Sequence, residues 1–182
     1  MQGELEASNA DFYRVVRRGE YLSPDDFLPL LEEFLAAAKG SAHGGQAVIM
    51  SGVLPNPKEI LTLLDELGVR IAHDDLLNCS RRLLVPPSRT GDPFDALTES
   101  YFAMPPCTTK DSSVSERVDG LVVHSARSCT PYSVGQYDIK RLLMDRLGVP
   151  SVVIEADIAD SRVFSEEQTR TRLEAFFEAM EV

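Results

Sequence analysis

Short apolar runs alternate along the chain with stretches whose apolar residues recur at helical spacing. The runs predict four buried parallel strands, at residues 46–51, 69–73, 120–124 and 152–155. A helical stripe of isoleucine and leucine covers 57–67, and Gly68 follows it where a helix commonly ends. Strands that alternate with helices build an open, doubly wound parallel sheet. We therefore predict an α/β fold with about four strands in the order 2-1-3-4 and helices on both faces.

Capping patterns predict where several other helices begin. Ser23 followed by Pro24 starts a helix in the N-terminal part, after a short helix at 9–18. The pairs Ser133/Gln136 and Ser165/Gln168 both have the Ser-x-x-Gln spacing of a capping box. They predict helices that begin at Ser133 and Ser165, and a further helix is predicted at 92–102. We accordingly divide the chain into an N-terminal helical segment, 1–45, and an α/β domain, 46–182.

One cysteine occupies a chemically favourable place in this predicted fold. Cys129 lies between the carboxyl end of the strand at 120–124 and the helix expected from Ser133. Open α/β sheets bind ligands at this edge, where free backbone N–H groups and the positive end of the helix dipole converge. The same field favours the thiolate, which is the form that ligates metal. Because its neighbours are polar, Cys129 is a functional candidate rather than a packed core thiol.

Other reactive side chains follow the predicted strands at the same edge. They are Asp74, Asp75, Cys79, Arg81, Arg82, Arg127, Asp157, Asp160 and Arg162, and His124 ends a strand near Cys129. Arginine suits phosphate because its planar fork donates two parallel hydrogen bonds. Taken alone, however, these aspartates and arginines are expected to pair with one another. For Cys79 and Cys107 a structural role is favoured, and His124 is either an ordinary strand residue or the partner of Cys129 in a Cys/His pair.

Charge and composition argue against a nucleic-acid-binding protein and against a membrane protein. The chain has 182 residues and a formal net charge of −11, so it lacks the basic stripe that nucleic acid requires. No apolar run is long enough to cross a bilayer, and the first residues do not have the pattern of a signal peptide. We expect a cytoplasmic protein with no membrane or nucleic-acid partner, in which the three cysteines are reduced thiols, metal ligands or redox groups rather than disulfides. No two of the three cysteines have the C-x-x-C spacing that would by itself indicate a metal site.

Several of these segments resemble one known family. The segment 119–136, DGLVVHSARSCTPYSVGQ, is similar to the last third of the 2-hydroxyacyl-CoA dehydratase and benzoyl-CoA reductase subunits. The same holds for GVPSVVIEAD at 148–157, for SEEQ at 165–168 and for TRLEAF at 171–176. Residues 51–75 and the pair Asp92-Pro93 are similar as well, so that the resemblance to this 2-hydroxyglutaryl-CoA dehydratase D-component-like family covers most of the chain.

The resemblance implies a fold, a cofactor and a reaction. Members have flavodoxin-like domains and hold a [4Fe–4S] cluster through three cysteines beside an acyl-CoA. A separate ATP-dependent activator supplies an electron, which passes through the cluster to the thioester carbonyl, and the resulting ketyl radical loses hydroxyl or is reduced further. Cys129 matches the cluster cysteine of the carboxyl-terminal domain, and Cys107 and Cys79 are weaker candidates. Arg81, Arg127 and Ser133 are assigned to the acyl-CoA pocket.

Two function hypotheses remain open from the sequence. In the first, the chain is an iron–sulfur subunit or fragment that works with a sister subunit in a heterodimer, its cluster completed by an amino-terminal domain, and that is inactive in isolation. In the second, it is a truncated α/β module that keeps an interaction or structural role without a cluster. A third hypothesis, a cofactor-binding flavodoxin-like module, finds no phosphate-loop fingerprint such as G-x-G-x-x-G in the sequence.

Overall fold

The chain folds around a parallel sheet in a computed structural model, which describes residues 5–38, 40, 45–76, 79, 85–103 and 118–180. The strands are β1 (Ala47–Gly52), β2 (Arg70–Leu76), β3 (Gly120–Ala126) and β4 (Ser151–Ala156). Every neighbouring pair in this part of the chain is parallel, and the order is β2-β1-β3-β4. The predicted α/β class and strand order are both confirmed.

Six α-helices accompany the strands within the described residues. They are α1 (Asn9–Arg18), α2 (Pro24–Ala37), α3 (Glu59–Glu66), α4 (Pro93–Ala103), α5 (Thr130–Leu147) and α6 (Glu166–Glu178), and a 3₁₀ turn covers Ser161–Val163. Ser23 caps α2 and Ser165 caps α6, as their spacing predicted. None of the described helices is long and apolar enough to cross a membrane.

Alternate residues of the strands face two separate layers of core. Val48 and Met50 of β1 pack with buried residues of α1, α3 and α6, whereas Ala47 and Ile49 belong to a second cluster. The second cluster lies on the face of the sheet that α5 covers, since α5 contacts β3 and β1. Helices on both faces explain why β1 and β3 are almost entirely buried, and both follow the apolar runs that predicted them.

The free edge of β2 is covered by one side chain from α1. The amide of Asn9 donates to the Val69 carbonyl over 2.8 Å and accepts from the Ile71 N–H over 3.0 Å, so it replaces a neighbouring strand. The carboxylate of Asp65 in turn accepts from the N–H groups of Asn9 and Ala10 at the start of α1. The N-terminal helix is thereby joined to the sheet through buried hydrogen bonds.

Candidate functional site

All four described strands end at the same edge of the sheet, because every pair is parallel. β1 ends at Gly52, β2 at Leu76, β3 at Ala126 and β4 at Ala156. The loops that follow β3 and β4 are hydrogen-bonded to each other, and the first of them carries Cys129. The candidate site is therefore built from segments that are far apart in sequence.

Cys129 immediately precedes α5 and occupies its N-cap position. Its carbonyl accepts the Ser133 N–H over 3.0 Å, which is the first hydrogen bond of the helix, and its own N–H donates to the Ala126 carbonyl over 3.0 Å. The residue is neither buried nor fully exposed. Its thiol is thus presented at the positive end of an 18-residue helix, at the carboxyl edge of the sheet.

The predicted start of α5 at Ser133 is wrong, since the helix begins at Thr130. Ser133 does not cap it: the hydroxyl lies 2.9 Å from the carbonyl oxygens of both Ala126 and Cys129 and donates to them. The Gln136 amide donates to the His124 carbonyl over 2.7 Å instead of returning to the helix start. Both side chains therefore join the first two turns of α5 to the end of β3.

The carboxylate of Asp157 connects the loop after β4 to the loop after β3. One oxygen accepts the Ser128 N–H over 2.7 Å, and the other accepts the N–H groups of Ala159 and Asp160 over 2.9 and 3.1 Å. The hydrogen bond from Ala159 is the largest influence on the pKa of Asp157 and lowers it. Desolvation, the second largest, opposes this shift, and the hydrogen bonds from Asp160 and Ser128 add to it, so that the pKa lies below its usual value. The group stays ionised although only 7% of its surface is exposed.

His124 lies directly behind this edge and is completely buried. Its Nδ1 is 3.0 Å from the Val53 carbonyl, so Nδ1 must carry the proton, because a carbonyl can only accept. Burial lowers the pKa of His124, while the carbonyl groups of Val53 and Asn56 oppose that shift. The other ring nitrogen, Nε2, has no hydrogen-bond partner among the described residues. No hydrogen bond in that part of the chain joins His124 to Cys129.

Burial of His124 predicts a dependence of stability on pH. The unfolded chain binds a proton at this residue below the ordinary value of 6.5, whereas the native protein resists it. The free energy of unfolding should therefore fall, by at most about 1.4 kcal/mol per pH unit, as the pH drops below that value, and this contribution should be flat above it. The free energy of unfolding, measured with urea at several pH values in that range, should change less with pH in His124→Asn than in the wild type. The asparagine amide can still donate to the Val53 carbonyl. Parallel slopes in the two proteins would contradict this account.

The charged residues at the edge mostly pair locally. Arg127 donates to Glu155 over 3.0 Å, and Arg162 binds Asp160 over 2.7 Å. Both pairs are largely solvent-exposed and contribute little to stability. Arg127 also lines an open cleft between β4 and α6, together with Glu155, Gln168 and Arg172.

The two aspartates that were predicted to follow the second strand lie within it, because β2 continues to Leu76, and both are hydrogen-bonded. Asp74 accepts the hydroxyl of the buried Tyr13 over 2.9 Å, and Asp75 lies 3.4 Å from the hydroxyl of Ser51. These contacts are with two hydroxyl groups and with the Leu76 N–H. Pairing of the two aspartates with Arg81 or Arg82 stays a prediction, because both arginines lie outside the described residues.

The remaining candidates add no second accessible thiol within the described residues. Cys79 is 4% exposed and packs into the core that α1, α3 and α6 share. Cys107, Arg81 and Arg82 lie outside the described residues. Within the described ranges, no group of three or more His, Cys, Asp or Glu side chains could hold a metal ion. Among the described residues, Cys129 is therefore the partly accessible thiol at this edge, and its role as a metal ligand stays a prediction.

The sequence does not indicate which groups Asp157 and Gln136 bind. The sequence presents Asp157 only as one polar residue in a loop, and Gln136 only as part of a capping box. The available signal for the helix start is Pro131, because proline is tolerated in the first turn of a helix. The hydrogen bond between Asp157 and Ser128 has no local signal, since 29 positions separate the two residues.

Comparison with known proteins gives consistent matches over nearly the whole chain. The family described as "2-hydroxyglutaryl-CoA dehydratase, D-component" matches residues 3–180. The chain is 29% identical to the beta chain of the (R)-phenyllactyl-CoA dehydratase of Clostridium sporogenes over 83% of its length and 42% of that protein's. It is 30% identical to the beta chain of the (R)-2-hydroxyglutaryl-CoA dehydratase of Acidaminococcus fermentans, over 91% of its length and 48% of that protein's.

A more local match extends the similarity to a reductase. Over 65 residues the chain is 37% identical to one of the subunits of the benzoyl-CoA reductase of Thauera aromatica, which is 36% of this chain and 15% of that protein. The chain spans less than half the length of these curated relatives.

Proposed function

Because the chain belongs to the 2-hydroxyglutaryl-CoA dehydratase D-component family, we propose that it supplies one side of an iron–sulfur and acyl-CoA site. The enzyme would be of the 2-hydroxyacyl-CoA dehydratase or aryl-CoA reductase type. The observation that carries this proposal is the position of Cys129, a partly accessible thiol at the N-cap of α5 and at the carboxyl edge of the sheet.

The donor set fits one corner of a [4Fe–4S] cluster. Such clusters are held by cysteine thiolates, and Cys129 presents one cysteine sulfur at the carboxyl edge of the sheet. One thiolate does not hold a cluster, so the other ligands must come from Cys107 or from a part of the assembly outside the described residues. When bound, the cluster supplies single electrons to the thioester carbonyl.

Arg127 is the residue that we assign to the phosphate groups of the acyl-CoA. Its guanidinium lies two residues before Cys129 in the chain, and 61% of its side-chain surface is accessible although it contacts Glu155. An exposed pair of this kind exchanges partners at little cost. Ser133, the other described candidate, already donates its hydroxyl proton to the loop carbonyls and could only accept a hydrogen bond from the ligand.

The partners follow from the relatives. Each relative reported above is named as one chain or subunit of a larger enzyme, so we propose that this chain works in an assembly with a sister subunit. An ATP-dependent activator would deliver the electron. Reduced thiols and a cluster of this type suit the cytoplasm.

Anaerobic reconstitution tests the proposal. We expect the chain, mixed with its sister subunit, iron and sulfide, to take up about four irons per chain and to show the broad visible absorption of an iron–sulfur protein. The chain alone should take up less, because most ligands are then missing. If the mixture binds no iron beyond that of a cysteine-free control protein, the second hypothesis, an α/β module without a cluster, replaces the first.

A further inference from the structure

In the loop that carries Cys129, each backbone N–H between β3 and α5 donates a hydrogen bond. Arg127 donates its N–H to the Ala156 carbonyl over 3.0 Å, and Ser128 donates to Asp157 over 2.7 Å. Cys129 donates to the Ala126 carbonyl over 3.0 Å. Three consecutive residues are thus held, two of them by the end of β4, so the position of this loop depends on that strand.

Asp157 is the one side chain among these acceptors. Its carboxylate is buried and accepts N–H groups from Ser128, Ala159 and Asp160, and no arginine or lysine forms a salt bridge with it in the described part of the chain. Hydrogen bonds to an ionised acceptor are roughly twice as strong as neutral ones. A buried carboxylate is tolerated only when such bonds replace its water. The residue therefore places a net negative charge next to the loop of Cys129.

We infer that Asp157 is a positioning residue for the Cys129 thiol. By accepting the Ser128 N–H it fixes the residue before Cys129 and hence where the sulfur is presented. Its charge, which no cation neutralises in the described part, would also make a bound cluster harder to reduce and so lower its reduction potential. The part about the cluster rests on the proposed function, whereas the positioning of the thiol does not.

A matched pair of variants separates this role from a general charge effect. In Asp157→Asn, one oxygen can still accept from Ala159 and Asp160, but an NH₂ group then faces the Ser128 N–H, donor against donor. Asp160→Asn removes the same charge from the same loop. Asp160 is paired with Arg162 and accepts no hydrogen bond from the loop after β3, so this variant is the control.

The first measurement uses the chain without a cluster. We expect iodoacetamide to alkylate Cys129 several-fold faster in Asp157→Asn than in the wild type and Asp160→Asn, with the buried Cys79 as the internal reference in the same digest. The Ser128 amide should also exchange with solvent faster in Asp157→Asn only. Equal rates in wild type and Asp157→Asn, or equal acceleration by both variants, would overturn the inference. If Asp157→Asn does not fold, Asp157→Glu replaces it, because the longer side chain keeps the charge but displaces its oxygens, and the same acceleration is expected.

The second measurement uses the reconstituted assembly. A redox titration followed by electron paramagnetic resonance should give a more positive cluster potential for Asp157→Asn than for wild type and Asp160→Asn, which a merely structural role would not produce. An unchanged potential overturns the electrostatic part. Should the wild type bind no cluster, the proposed function fails, and the alkylation and exchange rates still decide whether Asp157 positions Cys129.

Discussion

The Cys129→Ser chain, reconstituted with its sister subunit, should lose its iron, from about four atoms per chain to the background level. A serine hydroxyl is nearly the same size as the thiol but stays protonated near neutral pH, so it does not replace a thiolate ligand. The loop should keep its shape, because the hydrogen bonds at this residue use its backbone N–H and carbonyl. Iron analysis and visible absorption under anaerobic conditions measure the effect.

Two other cysteines provide the comparison. Cys79→Ala should retain the iron, because Cys79 is packed in the apolar core away from solvent. Cys107→Ser reports separately on whether Cys107 is a ligand. If Cys129→Ser binds as much iron as the wild type, Cys129 is not part of the ligand set and the proposed function loses the observation that carries it.

Replacement of Gly52 by alanine should destabilise the protein by about 3 to 5 kcal/mol. Gly52 ends β1 with φ +128°, a conformation that side chains rarely adopt. A Cβ at this residue would also lie 2.3 Å from the carbonyl oxygen of His124 and 3.2 Å from the Gln136 amide nitrogen. The first contact is with the backbone of β3, which pairs with strands on both sides and cannot move away cheaply.

Gly148 is the matched control for this prediction. It also has a positive φ, +66°, but a Cβ there would meet no atom within 4 Å. Gly148→Ala should therefore cost only the backbone strain, about 1 kcal/mol. Urea unfolding of the two variants measures the difference, and similar losses would show that the close approach to His124 does not matter. Because the end of β3 leads into the loop of Cys129, Gly52→Ala should also lower iron uptake in the reconstituted assembly.

The two Ser-x-x-Gln patterns show how far a local motif can be trusted. Ser165 does cap α6, and its hydroxyl accepts the Gln168 N–H over 3.4 Å. Ser133 has the same spacing, yet the helix has already begun before it, and its hydroxyl donates to the carbonyls of Ala126 at the end of β3 and of Cys129. A hydroxyl can donate or accept, so the motif identifies a capable side chain, and its neighbours in space decide what it binds.

The strands were easier to predict than the contacts between their ends. The runs around Val48, Val122 and Val152 are apolar because both faces of a doubly wound sheet are covered. Each strand therefore shows an apolar run that can be recognised without knowledge of the other strands. Strand order then follows from right-handed crossovers. The apolar strand pattern and the right-handed crossover together were enough to predict that Cys129 lies at the carboxyl edge of the sheet.

The amino-acid sequence by itself determined the α/β class, the strand order, the family and the edge of the sheet at which Cys129 lies. These features depend on periodicity, on chain handedness and on residues that are adjacent along the chain. Only the tertiary structure decided that Asp157 holds the Cys129 loop, that Gly52 lies against the His124 carbonyl and that Asn9 covers the edge of β2. Hydrogen bonds and close approaches of this kind join segments that packing brings together, and the direction and distance of each polar group are set only when the core is formed.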